Sequence, residues 1–204
     1  AKVSFASQVK VLRNGKLWMT ISTVTFIFAA MFSSFSYVAD YLSKITLLGN
    51  NAISAMLILF GVCGFAGNFV FSNYLQKNVV KTTFAYPLLF TLVLVMVWWL
   101  GFSPLAMCVL TVFWGAFHSS GLVVSQTWLM REASEAPEFA NSLYMSFSNL
   151  GITIGSLAGG GFIAHLGTHS VVLSSVIFTL AAFLSIWIKH RTDRGEAFVI
   201  EELA

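Results

Sequence analysis

One histidine and a scatter of hydroxyls are the groups in this sequence best suited to chemistry inside an otherwise apolar chain. His118 stands in the long uncharged stretch that starts at Leu105, and Thr111, Trp114, Leu122 and Ser125 share its helical stripe. An imidazole can donate to or accept from a polar ligand, and an indole can stack on a ring. His118 falls about 21 Å along a helix from Pro104, somewhat inward of the middle of a bilayer. Two roles are open to it: lining a substrate path with Trp114, or hydrogen-bonding a neighbouring helix. Carrying a proton is a further possibility for an ionisable group at this depth.

The first apolar stretch holds Thr20, Thr23, Ser34, Tyr37 and Tyr41, with Met31 and Phe35 among them. Ser34, Tyr37 and Tyr41 fall on one face, which suits a cavity for amphipathic or sugar-like molecules. The same hydroxyls can instead bond their own backbone. Asn149, beside Ser148, is the most polar point of a later stretch, and it either bridges a helix crossing or lines the cavity. The acidic residues offer less. Asp40, Glu132, Glu135, Glu138, Asp193, Glu196, Glu201 and Glu202 all fall at helix ends, in loops or in the tail.

These groups need elements to hold them, and composition says which. Hydrophobic residues make up 57% of the 204 and charged residues 9%, against roughly 45–50% and 25% in a soluble domain. An all-α membrane protein is expected. Six apolar segments near Leu17–Tyr37, Ile53–Phe71, Phe84–Leu100, Leu105–Trp128, Asn141–Ile163 and Val171–Ile188 approach or exceed the roughly 20 residues of a transmembrane helix. The domain organisation is a basic lead-in at 1–16, a six-helix unit at 17–190 and a polar tail at 191–204.

Lys2, Lys10, Arg13, Lys16, Lys77, Lys81, Arg131, Lys189, Arg191 and Arg194 all fall on one side of that arrangement, and Lys44 alone on the other. By the positive-inside rule both termini are cytoplasmic. Trp18, Trp128 and Trp187 then lie near the inner interface and Trp98 and Trp99 near the outer one. The lead-in holds no apolar core followed by a cleavage site, and the absence of an initiator Met fits a processed or excised chain. Cys63 and Cys108 sit in apolar segments and are expected free. No basic cluster suits nucleic acid, no His or Cys spacing suits a metal, and no cofactor is expected. No nucleophile–base pair or phosphate loop favours an enzyme.

Small residues organise the packing. Gly151, Gly155 and Gly159 recur every four residues on one face of the fifth helix, and Gly61, Gly64 and Gly67 enrich the second. Helices one to three therefore look like a counterpart of helices four to six. Three helices per unit turn the second unit over, giving a 3+3 inverted repeat.

Arg131-Glu132-Ala133-Ser134-Glu135-Ala136-Pro137, followed by Asn149-Leu150-Gly151 and the glycines at 155, 159 and 160, resembles the eleventh-helix region of the drug/proton antiporter branch of the major facilitator superfamily. Sugar-efflux and arabinose-type exporters are the nearest within that branch. The resemblance runs from Lys10–Lys16 to Arg191 and implies the C-terminal six-helix half of a twelve-helix transporter in a bacterial inner membrane. It implies a small drug-like or sugar-like substrate exported by alternating access, with protons as the coupling ion, bound mainly by an N-terminal six-helix half. One departure is visible: where the family often has an Asp-Arg pair after its small-residue helix, this sequence has Gln76-Lys77. Two other readings fit the same residues: a six-helix protein whose second copy supplies the other half, or a non-transporting membrane subunit.

Overall fold

In the computed structural model, residues 11–202 are described, with side chains from 12 to 193. Most of the lead-in, with Lys2 and Lys10, lies outside them, as do the tail's Phe198–Ile200 side chains. Seven α-helices make six spans. Helices α1 (Gly15–Phe35) and α2 (Val38–Lys44) form the first, followed by α3 (Asn50–Lys77), α4 (Val79–Leu100), α5 (Pro104–Glu132), α6 (Pro137–Leu166) and α7 (Val171–Glu202). All six are long and apolar enough to cross a membrane.

The helices outrun the apolar segments that predict them. Hydropathy marks only the hydrocarbon depth, while hydrogen bonding carries a helix on through the polar interface. The last helix thus continues through the tail to Glu202 instead of ending at Ile188. Elsewhere the ends are set by local chemistry. Asn78 alone separates α3 from α4, and its side chain accepts from the Lys81 amide at 2.9 Å. Pro104 and Pro137 open α5 and α6 at a position where a missing N–H costs nothing.

The first span breaks at Ser36 and Tyr37 without a proline or glycine. Within Ser33-Ser34-Phe35-Ser36, the Ser36 hydroxyl bonds back to the Phe32 carbonyl at 2.8 Å, a contact that bends helices. Tyr37 leaves helical geometry there, at φ −121.

Packing follows an inverted repeat. Helix α1 lies along α6 as α5 lies along α3, and α4 packs on α7 across the axis that exchanges the two triplets. The glycines explain the two closest crossings. A Cβ on Gly151 would stand 2.5 Å from the Thr25 carbonyl oxygen, one on Gly155 2.7 Å from the Ala29 Cα, and one on Gly159 against the Ser33 carbonyl. In the other triplet, Gly67 meets the Ala116 backbone and Gly64 meets Ser119 and Gly115. Gly61 behaves differently from its expected packing role. It is exposed and meets nothing, because the α3 face that touches α5 passes through Gly64 and Gly67.

Serines and threonines zip α7 onto α1. Thr23 bonds Ser185 at 2.9 Å, Ser175 donates to Ser34 at 2.8 Å, and Ser33 pairs with Ser174. Each such interhelical bond is worth ~0.6 kcal/mol in a bilayer.

Candidate functional site

The stripe around His118 is inside the six-helix unit. Thr111, Trp114 and Ser125 are buried, His118 is 7% exposed, and only Leu122 reaches the surface. The imidazole is boxed by aromatic rings, with Phe35 at 4.4 Å, Phe60 at 5.3 Å and Phe32 at 5.4 Å between centroids. His118 Nδ1 and Trp114 Nε1 have no protein partner among the described residues. Tyr41 meets the Trp114 ring edge-on at 6.4 Å.

The hydroxyls expected beside it are committed to helix contacts. Ser34 is fully buried against Ser175. Tyr41 donates to the Val97 carbonyl at 3.1 Å, tying α2 to the end of α4. Tyr37 donates to the Ser156 carbonyl at 2.9 Å and lies against Gly159 and Gly160, bridging the break in the first span to α6. Thr20 bonds its own Lys16 carbonyl.

Asn149 is the exception. It lies off the glycine crossing, exposed, with its amide donating to the Met145 carbonyl at 2.7 Å. It is also not alone. Ser142, Ser146 and Thr153 are exposed on the same side of α6, and Ser156 continues the row to meet Ser36 of α1 at 2.8 Å. At 100° per residue this row occupies the side of α6 away from Gly151, Gly155 and Gly159.

Three hydroxyls of the row spend their donor on their own helix. Ser142 bonds the Glu138 carbonyl, Ser146 that of Ser142, and Thr153 that of Asn149, at 2.9 to 3.1 Å. What remains facing outward is mostly acceptors, hydroxyl lone pairs and the Asn149 carbonyl oxygen, with the second N–H of the Asn149 amide. A lipid-facing helix surface is poor in such groups, since a bilayer core offers them nothing. The row calls for water, a ligand or another polypeptide. Sequence reading found only Asn149 of it; the signal was present as Ser and Thr at i+3 and i+4 spacing opposite the glycines.

At one end of the bundle four charged residues form a single network. Lys189, 7% exposed, lies 2.9 Å from Glu132 and 3.1 Å from Asp193, and Asp193 also meets Lys16 at 3.0 Å. Asn14 adds a hydrogen bond to Glu132 at 3.2 Å, and the Lys189 ammonium sits 4.7 Å from the Trp128 ring centre. These contacts join the ends of α1, α5 and α7. At the opposite end His169 stacks on Trp98 at 3.8 Å and donates its Nε2–H to the Trp98 carbonyl at 3.0 Å. No group of His, Cys, Asp or Glu able to hold a metal occurs among the described residues.

Comparison with known proteins agrees with this architecture. The chain is 31% identical over 160 residues to the transcription regulatory protein OpdE of Pseudomonas aeruginosa, covering 78% of the chain and 40% of that protein. It is 28% identical over 192 residues to the inner membrane transport protein YdhP of Escherichia coli, covering 94% and 49%. The purine ribonucleoside efflux pump NepI of Escherichia coli is 26% identical over 159 residues, covering 77% and 40%. The chain therefore spans less than half the length of these relatives. Six spans in two inverted triplets are what half of such a fold contains, and the family model for the Major Facilitator Superfamily matches residues 20–202: the chain belongs to that superfamily.

Proposed function

We propose that this chain is the C-terminal six-helix half of an exporter in a bacterial inner membrane, with both termini in the cytoplasm. The outward row Ser142, Ser146, Asn149, Thr153 and Ser156, joined by Ser36, carries the reading. It forms one wall of a substrate path that the N-terminal half closes. A wall rich in acceptors, with one amide N–H left on Asn149, suits a ligand that donates and accepts, such as a sugar or nucleoside, and relatives named as a probable sugar efflux transporter and a purine ribonucleoside efflux pump support that class.

Transport proceeds by alternating access. The crossings at Gly151–Gly159 and Gly64–Gly67 are smooth surfaces on which α6 and α3 can rock against α1 and α5. Coupling to protons resides mainly in the other half, since no carboxylate lies deep within a span among the described residues and His118 is the only histidine that does. That the relatives are about twice as long favours a single polypeptide over a pair of copies.

Asn149 tests the reading. In the full-length, otherwise cysteine-free protein, Asn149→Cys is expected to react with a membrane-impermeant thiol reagent and to be protected by transported substrate. Ile154→Cys, exposed on a different face of α6, is expected to show no substrate protection. Substrate-independent reactivity at 149, with normal efflux by Asn149→Ala, would remove this row from the path.

A further inference from the structure

A groove on the other side of the molecule is unused by this reading. Helices α3 and α4 part after the turn at Asn78, and α5 forms the floor between them. The space is about 600 Å³ and lined by Cys63, Ala66 and Val70 of α3, Ala85 and Leu89 of α4, and Phe113 of α5, among other apolar groups. Small side chains at Ala66, Ala85 and Ala116 keep it open.

Its dimensions and its ends are informative. From Lys81 to Leu89 the α4 wall is about 12 Å long, and from Tyr74 to Cys63 the α3 wall is about 16 Å, close to the ~15 Å depth of one leaflet. Lys81 and Tyr74 stand at the mouth and the apolar groups fill the rest. Lys77 approaches the Tyr74 ring at 5.8 Å. Neither Lys77 nor Lys81 has a carboxylate partner among the described residues, whereas Lys44 and Lys189 do. The groove thus presents the Lys81 ammonium at headgroup level, with Lys77 next to it on the Tyr74 ring, and hydrocarbon below.

We infer that this groove holds one acyl chain of an anionic phospholipid, whose phosphate is met by Lys81 with Lys77 beside it. The binding belongs to the α3–α4–α5 side and is independent of the substrate path.

The test uses the full-length protein in detergent, titrated with phosphatidylglycerol or phosphatidylcholine and read by native mass spectrometry. Phosphatidylglycerol is expected to bind the first site more tightly, and Lys81→Gln to weaken it about fivefold, the effect of one basic group near an anionic lipid. Ala85→Trp fills the groove and is expected to reduce binding of both lipids. In a Cys108→Ser background, added phosphatidylglycerol is expected to slow alkylation of Cys63 by N-ethylmaleimide. Unchanged phosphatidylglycerol affinity in both Lys81→Gln and Ala85→Trp overturns the proposal. So does a Cys63 that is inert with or without lipid, which would mean that polypeptide covers the groove.

Discussion

Gly155 offers the sharpest test of how the two triplets are held. An added methyl would meet the Ala29 backbone, with Cα at 2.7 Å and the carbonyl carbon at 2.9 Å, and no rotamer change can relieve a clash with backbone. Helices α1 and α6 must separate locally, and overpacking of this kind costs about 1–3 kcal/mol. Alanine also raises helix propensity, by up to about 1 kcal/mol, which masks part of that loss. Gly161 supplies the correction. It lies in the same helix with nothing within 4 Å of its Cβ position, so Gly161→Ala carries the propensity change without the clash. The difference between the two variants isolates the steric cost.

Thermal unfolding in detergent can read it through the loss of helical circular dichroism. Gly155→Ala is expected to melt about 2–12 °C below Gly161→Ala, taking 2–4 °C per kcal/mol for a unit of this size. Equal melting temperatures would refute the close crossing of α1 and α6, and with it the smooth contact assigned to alternating access.

Three other outcomes follow from particular contacts. Lys189→Met leaves Glu132 without its cation in a site where Lys189 is 7% and Glu132 15% exposed, and is expected to cost about 3 kcal/mol. Adding Glu132→Gln should recover much of it, as measured by denaturant unfolding. His118→Phe replaces an imidazole already packed among Phe32, Phe35 and Phe60; it is expected to preserve folding and proton-driven efflux in inverted membrane vesicles, and loss of the proton dependence alone would make His118 a carrier. Leu47 adopts φ 59 while 80% exposed. Leu47→Gly is therefore expected to be neutral or to stabilise by up to about 1 kcal/mol in the same melting assay, because left-handed geometry costs a side chain about 1–2 kcal/mol and little packing is lost.

The network at Lys16, Asp193, Lys189, Glu132 and Asn14 bears on how these helices can move. Its members come from α1, α5 and α7, so these three ends are held as one body. Helices α3 and α6, which carry the glycine crossings, are outside it. Rocking is thereby favoured at the glycine faces over rearrangement among α1, α5 and α7.

Much of the architecture is local in origin and therefore legible from residue order. Charge depletion and segment length dictate six spans, because a bilayer demands about 20 apolar residues whatever lies beside them. Glycines every fourth residue must stack on one face, so a close crossing on α6 follows from helical geometry alone. The partner of that face does not. That Gly155 meets Ala29, and that Gly61 meets nothing, depends on how α6 and α3 are rotated against α1 and α5. The same rotation decided the fate of every candidate site residue. Ser34, Tyr41 and Asn149 each carry polar groups at helical spacing, yet Ser34 is spent on Ser175, Tyr41 on Val97, and only Asn149 faces outward with Ser146 and Thr153. A hydroxyl has the same chemistry in a seam or in a path, and only the helix packed against it determines which one it serves.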